Sequence, residues 1–514
     1  MPCSATKILF LDNLLAPCIF VKGSIVFNFH NTYIKLPETF YQKISPSSAY
    51  SPQLIAFNQS LATELGSKVE ELDEQYLAEI FSGQSILSGS EPIALAYAGH
   101  QFGHFVPSLG DGRAVLLGEV IASDGKRYDI QLKGAGQTAF SRRGDGRSAL
   151  GPVIREYILS EAMHALNIPT TRALAAVTSG EMVHREKTLP GGIFTRVASS
   201  HIRVGTFEYF AYKKDYQALK QLADYAINRH YPELNSSTAK YFEFFQAVSR
   251  QKLSLVAKWM GVGFIHGVMN TDNSSISGET IDFGPCAFMD HFRYDKVFSS
   301  IDRDGRYAFK NQGNMALWNL SSLAQCIIPL MGSDTDEWLK KIKQELDDLS
   351  QFFLNQWIQI MGQKLGIYSA AANDQTLINQ FLTYLEKENL DYTNSFYFLS
   401  EHIDKSFEES NTLTNYFIQN KAFEQFLSNW KTRLNQQSQD ILNVKTLMAQ
   451  NNPVFIPRNH QVEKAIAQAV SGQYEHFHQL LKVLSKPFTF QQEFQDFMAP
   501  PKEDEIVHQT FCGT

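Results

Sequence analysis

Apolar and polar positions change period along the chain. RAVLLGEVIA (113–122) and RYDIQLKG (127–134) are apolar runs joined by Ser-Asp-Gly-Lys at 123–126. Two such runs around a turn-forming tetrapeptide predict an antiparallel hairpin. Pro152 then opens PVIREYILSEAMHALN (152–167), where Val153, Ile154, Tyr157, Ile158, Ala162 and Ala165 recur at helical spacing. TRALAAVTSG (171–180) and GGIFTRVA (191–198) read as further strands, and QLIAFNQSLATELG (53–66) reads as a helix. Beyond about residue 205 the helical period dominates. The run 336–366 is a strong amphipathic helix or helix pair, and helices are expected through 375–450 and 461–484. A mixed strand/helix lobe followed by a larger helical lobe with a helical C-terminal extension is an α+β architecture.

Composition narrows the classes. A chain of 514 residues is long enough for two to four structural units. Its 44% hydrophobic content is that of a soluble globular protein, and 38 Phe imply aromatic cores. Net charge is −7, from 46 Lys plus Arg against 53 Asp plus Glu. That excludes a general nucleic-acid binder while leaving room for a local basic pocket. Five Cys at wide spacing, with no C-x-x-C, fit neither a structural zinc site nor a secreted disulfide framework. A cytoplasmic location is the expectation. The apolar stretch 7–27 is interrupted by Asp12 and Lys22 and makes a poor membrane span. It reads as an extension outside the folded core, and no other segment could span a membrane.

Candidate chemistry sits in the loops. Gly110-x-Gly112 before an apolar strand lets backbone approach a phosphate, with Arg113 adding charge, although a plain turn explains the glycines too. Lys133 ends the following strand, and Glu156 lies 23 residues on, inside the helix. Protein kinases pair such a Lys and Glu over nucleotide phosphates. Between them, KGAGQTAFSRRGDGRSALGPVIR (133–155) carries Lys133, Arg142, Arg143, Arg147 and Arg155 against one acid, Asp145. A Gly/Arg-rich loop before a helix start fits a polyphosphate. Arg196 and Arg203 follow in apolar settings, where a buried guanidinium needs a carboxylate or phosphate partner.

The stretch HGVMNTDNSSISGETIDFGP (266–285) completes the series. Asp282-Phe283-Gly284 reads as a metal-binding D-F-G at the end of a short hairpin. His266 to Asn273 has the length of a kinase catalytic loop, and His266 is given only a structural role. Asn273 and Asp282 offer hard oxygen ligands for Mg²⁺ or Mn²⁺ beside substrate phosphates. The usual catalytic Asp position holds Val268, but Asp272 stands directly before Asn273.

These segments, with YAGHQFGHFVPSLGDGRAVLLGE, FTRVASSHIRVGTFEYF and NPVFIPRNH, resemble the selenoprotein O family from about residue 28 to the C-terminus. The resemblance implies a bilobal protein-kinase-like fold. Its parts would be an extension at 1–27, an N-terminal lobe at 28–185, a C-terminal lobe at 186–370 and a helical extension at 371–514. It implies a protein adenylyltransferase that binds ATP upside-down and transfers AMP to protein Ser, Thr or Tyr hydroxyls, releasing pyrophosphate. UMP transfer from UTP is a variant. Carried over by motif, Gly110, Gly112, Arg113, Lys133, Asp145, Gly146, Arg196, Arg203 and Asp282 contact nucleotide. Asn273 and Asp282 hold metal, Asp272 accepts the proton, and Glu156 holds Lys133. The family also has a Cys or selenocysteine near the C-terminus, here Cys512, for which Cys286 is a candidate redox partner. A small-molecule phosphotransferase and an inactive nucleotide-binding scaffold remain the competing readings.

Overall fold

The computed structural model describes residues 27–67, 73–401, 403 and 416–511. The extension read at 1–27 therefore lies outside the described residues except for Phe27, and so does Cys512.

Among the described residues, ten strands precede the helical part: β1 Tyr41–Lys43, β2 Gln53–Phe57, β3 Ile93–Leu95, β4 Gly99–Gln101, β5 His104–Val106, β6 Ala114–Ile121, β7 Arg127–Lys133, β8 Ser148–Ala149, β9 Arg172–His184 and β10 Thr188–Ala198. Seven form one sheet in the order β1-β3-β6-β7-β10-β9-β2, with β8 added against β10. All neighbours are antiparallel. β6 and β7 are the hairpin read from the sequence. Side chains alternate across the sheet, so Val115, Leu117, Ile130, Leu132 and Ile193 pack with Leu77, Ile80 and Phe81 of helix Glu74–Phe81. On the opposite face Ala173, Ala176 and Phe194 pack with Val153, Ile154, Tyr157 and Ile158 of helix Leu150–Ala165. That helix is covered in turn by Val462, Ala465, Phe477 and Leu480 of helices Asn459–Val470 and Glu475–Leu484. It is thus buried nearly all round rather than along one stripe.

Three readings are corrected here. The helix expected over 53–66 is strand β2 followed by a short helix, Gln59–Glu64. Pairing of β2 with β9 claims the first five residues, and the Asn58 side chain caps the helix by accepting from the Leu61 N–H at 3.0 Å. The lobe boundary read at 185/186 falls in the turn between β9 and β10, which are adjacent strands of one sheet. The hairpin expected before the D-F-G is absent. Residues 274–281 instead follow an irregular path, pinned by isolated bridges from Ser275 to Arg203 and from Thr280 to Thr170.

From Val204 onward the described chain is mostly helical. Helices Val204–Tyr212, Lys240–Gly261 and Gln312–Ile327 share a core that includes Phe207, Phe210, Phe244, Phe245, Trp259 and Leu320. Residues Thr335–Lys364 form one continuous helix, begun by Asp334, whose carboxylate accepts from the Glu337 N–H. Phe381, Phe417, Phe423, Phe426 and Trp430 build a second aromatic core further along. Among the described residues no helix is long and apolar enough to cross a membrane.

Candidate active site

The end of β7, the loop after β5 and the loop 134–147 close around a cleft of about 820 Å³. Gly110, Gly112, Arg113, Lys133, Asp145, Gly146, Arg196, Arg203, Asp272, Asn273 and Asp282 all line it. Residues widely separated in sequence thus line one cleft. Glu156 lies just behind the wall.

Lys133 is the hub of the deep end. Its ammonium donates to Glu156 and to Asp282 Oδ1, each at 2.7 Å. Glu156 also accepts from the Phe283 N–H at 3.1 Å, so one carboxylate fixes both the lysine and the D-F-G segment. Arg196 donates to Asp282 Oδ1 at 2.8 Å, and Arg203 lies 3.8 Å from Oδ2. Burial alone would raise the Asp282 pKa, but Lys133, Arg196 and Arg203 outweigh it and hold the carboxyl well below its usual range. Asp282 has φ +63°, a left-handed conformation uncommon for a non-glycine residue. Such a strained residue persists only where its surroundings over-determine it, as three cations do here.

The two arginines meet the requirement for anionic partners with carboxylates. Arg203 faces Asp111 at 3.4 Å and lies 4.3 Å from the Tyr97 ring centre, and the Arg196 Nε donates to Gln131. Asp111 is buried and also accepts from the Leu95 N–H and the Gln131 amide. Sequence reasoning passes over it, although it stands between the two marked glycines.

Those glycines have a packing reason. Gly110 has φ +63°, and a Cβ there would lie 2.2 Å from the Phe140 ring; a Cβ on Gly112 would lie 2.9 Å from the Phe140 carbonyl oxygen. The loop that carries the arginines is therefore pressed onto the glycine turn. Gly110→Ala is expected to cost about 2 kcal/mol in chemical denaturation, from the positive φ and the displaced ring together.

The Arg-rich loop divides. Arg142, Arg143 and Arg147 line the cleft, but Arg155 does not. Arg155 belongs to helix Leu150–Ala165 and points away, donating to the Cys286 carbonyl, Asn459 Oδ1 and Glu463. Helix periodicity turns it from the loop's face to the C-terminal helices, so its assignment to the polyphosphate site is withdrawn. Asp145 is held by Arg185, at 2.8 and 3.0 Å, and by the Arg147 N–H. Arg185 sits in the β9–β10 turn, and nothing in its local sequence signals that contact.

Thr271–Asn273, whose Asp272 and Asn273 also line the cleft, form a single 3₁₀ turn. Burial pushes Asp272 up to about 6, against the opposing hydrogen bond from Gln101. A carboxyl poised there suits proton acceptance near neutrality. The Asn273 amide nitrogen donates to the Val268 carbonyl at 3.0 Å, which leaves its oxygen for a cation. Asn273 and Asp282 share the cleft as two hard oxygen donors. Among the described residues there is no cluster of three or more His, Cys, Asp or Glu suited to a metal. This donor set fits Mg²⁺ or Mn²⁺, which take only one or two protein oxygens and the rest from phosphates and water.

His266 is buried, its ring nitrogen is 2.9 Å from the Ile281 carbonyl, and burial lowers its pKa to about 4. It braces the loop, as expected. Glu279 does similar work, accepting from the Ser199 N–H and hydroxyl and from the Ser277 hydroxyl. Burial raises Glu279 to about 7. A carboxyl whose folded pKa is raised contributes stability fully below its unfolded pKa near 4.5 and loses it as pH rises through 7. Wild-type melting temperature is therefore expected to fall between about pH 5 and 8 more steeply than that of Glu279→Gln. Parallel pH dependences would contradict the assignment.

Cys286 is buried, and Thr510 near the chain end donates its hydroxyl to the neighbouring Pro285 carbonyl at 2.5 Å. The pairing suggested for Cys286 involves Cys512, outside the described residues.

Lys133 at the end of an antiparallel sheet, paired with Glu156 of the packed helix beside a cleft lined by cations and carboxylates, suits a nucleotide-using transferase. Comparison with known proteins gives the family: the profile described as "Protein adenylyltransferase SelO" matches residues 24–485. The chain is 50% identical over 489 residues to a protein nucleotidyltransferase YdiU of Bacillus cereus, spanning 95% of this chain and 98% of that one. It is also 50% identical over 489 residues to the protein of the same name from Rhizobium etli, at 95% and 97% coverage. A Bradyrhizobium sp. relative, again a protein nucleotidyltransferase YdiU, is 49% identical over 492 residues, at 96% and 100% coverage. The chain belongs to the SelO family of protein adenylyltransferases and is a nucleotidyltransferase.

Proposed function

We propose that this enzyme transfers AMP from ATP to Ser, Thr or Tyr hydroxyls of protein targets, with ATP bound in inverted orientation. One observation supports this most. Three cations, Lys133, Arg196 and Arg203, converge on Asp282, while the carboxylate able to take a proton, Asp272, lines the same cleft next to Asn273. In the ordinary kinase frame the proton acceptor would stand at Val268, which is buried and cannot serve. A triphosphate whose terminal phosphate enters the cationic end presents its α-phosphorus toward Asp272.

The chemistry then follows from positions. Asp272 accepts the proton of the target hydroxyl. The oxygen forms a bond to the α-phosphorus, and the bond from that phosphorus to the bridging oxygen of the β-phosphate breaks. Pyrophosphate leaves with the electron pair, its charge met by Lys133, Arg196 and Arg203. Mg²⁺ or Mn²⁺ held by Asn273 and Asp282 would neutralise phosphate charge. Arg113, Arg142 and Arg143 flank the phosphates, with Gly146 and Asp145 at the loop end of the cleft. UTP, whose phosphates are identical, would allow UMP transfer at the same site. We assign the two parts of the chain to kinase-like lobes meeting after β10, near Ala198, and place the reaction in the cytoplasm.

Mass spectrometry of protein targets incubated with ATP and Mg²⁺ tests the reading. Adenylate on a Ser, Thr or Tyr is the expected adduct. Phosphate in its place would mark a conventional phosphotransferase.

A further inference from the structure

A short hairpin that no nucleotide motif includes lies directly on the catalytic turn. β4 and β5 pair in the register Gly99↔Val106, His100↔Phe105 and Gln101↔His104. The two residues between them, Phe102 and Gly103, have φ +51° and +84°. Tight hairpins want positive φ at both central positions, which Asn and Gly supply cheaply and Phe does not. Phe102 is held there from outside the hairpin. Its N–H donates to Asn270 Oδ1 at 3.1 Å, and its ring centre lies 5.1 Å from that of Tyr307. The Tyr307 hydroxyl donates to the same Asn270 oxygen at 2.7 Å.

Successive residues of the hairpin meet the loop that ends at Asp272. The His100 N–H donates to Thr271 Oγ1 at 2.6 Å. The Gln101 side-chain amide donates to Asp272 Oδ2 at 3.1 Å. Asp272 Oδ1 is buried with no hydrogen-bond partner among the described residues, and a Cβ on Gly99 would sit 2.6 Å from it. The carboxylate is therefore wedged between the bare backbone of Gly99 and the amide of Gln101. The turn is anchored from behind, where Glu208 accepts from the Thr271 hydroxyl at 2.5 Å and meets the His100 ring at 2.7 Å.

We infer that Gln101 is a positioning residue for nucleotidyl transfer: its amide fixes the rotation of the Asp272 carboxylate toward the target hydroxyl. This rests on the proposed role of Asp272 as proton acceptor. A carboxylate on a one-turn helix has two free side-chain torsions. Gly99 backs Oδ1 by contact alone, so the Gln101 amide is the side-chain hydrogen bond among the described residues that sets the rotation of the carboxylate. A neutral amide removes that freedom without adding a charge that would compete for the nucleotide. Lys or Arg at this position would pair with Asp272 and neutralise it. Misplacing a reacting group by about 1 Å costs up to about 100-fold in rate.

The test replaces Gln101 by Met, of similar length without a donor, and by Asn, whose amide is one methylene short. His104, across the hairpin and exposed, is replaced by Ala as a control for disturbance of the strands. Transfer of α-labelled ATP, ATP affinity by calorimetry and melting temperature are read for each. Expected for Gln101→Met is a kcat about 10- to 100-fold down, with ATP Kd within about twofold and a melting temperature lower by only a few degrees, from the lost hydrogen bond to a buried carboxyl. Gln101→Asn should fall between it and wild type, and His104→Ala should match wild type. A kcat within about twofold of wild type in Gln101→Met overturns the inference. So does a loss shared equally by ATP affinity, or one reproduced by His104→Ala. If wild type itself transfers no α-label, the Asp272 reading falls and takes this inference with it. If wild type transfers and Gln101→Met does too, only the role of Gln101 falls.

Discussion

Asp282→Ala is expected to abolish nucleotidyl transfer, by about 10³-fold or more, while ATP still binds. The carboxylate does two jobs that the two assays separate. It is one of two protein oxygens proposed to hold the divalent ion, so its loss removes charge neutralisation at the reacting phosphates. It is also the internal counter-charge for Lys133, Arg196 and Arg203. Each of these cations keeps a second partner: Glu156 for Lys133, Gln131 for Arg196 and Asp111 for Arg203. The fold therefore survives, at a cost of about 1–3 kcal/mol. With the carboxylate gone, the cationic end is freer to receive phosphate, so ATP affinity measured without metal should not weaken. Transfer within about tenfold of wild type would refute the metal assignment.

Glu156→Ala should be damaging in both stability and rate. The Glu156 side chain is only 6% exposed and that of Lys133 13%, so their ion pair is largely desolvated. Removing one partner of a buried pair typically costs about 3–5 kcal/mol, because the other charge stays buried. Lys133 retains Asp282, which places the expected loss near the lower end, about 3 kcal/mol in chemical denaturation. The Phe283 N–H loses its acceptor at the same time. Both the lysine and the D-F-G segment are then free to shift, and transfer should fall by about 100-fold or more. A variant that unfolds like wild type would show that Glu156 is not the post joining them.

Legibility in the sequence follows the range of the interactions. β6, β7, β9 and β10 are readable because long runs establish a pattern and turns punctuate them. β4 and β5 are not, since strands this short show no alternation. The strand at Gln53–Phe57 is hidden because apolar residues on either side of Asn58 continue a helical period that the cap interrupts. The missing hairpin before Asp282 has another cause: Glu279 and the bridges at Ser275 and Thr280 draw that segment to residues far away in the chain. In the site, residues named by motif meet in one cleft. Their partners Asp111, Arg185 and Gln101 escape notice because a carboxylate, guanidinium or amide in a loop carries no local mark of what it will touch.

The most direct measurement is a paired labelling of protein targets with ATP carrying label at either the α- or the γ-phosphorus, in Mg²⁺ and in Mn²⁺. The expected result is α-label on protein, γ-label released in pyrophosphate, and neither reaction in Asp272→Asn. Label from the γ-phosphorus on protein would contradict the inverted orientation and the assignment of Asp272 together.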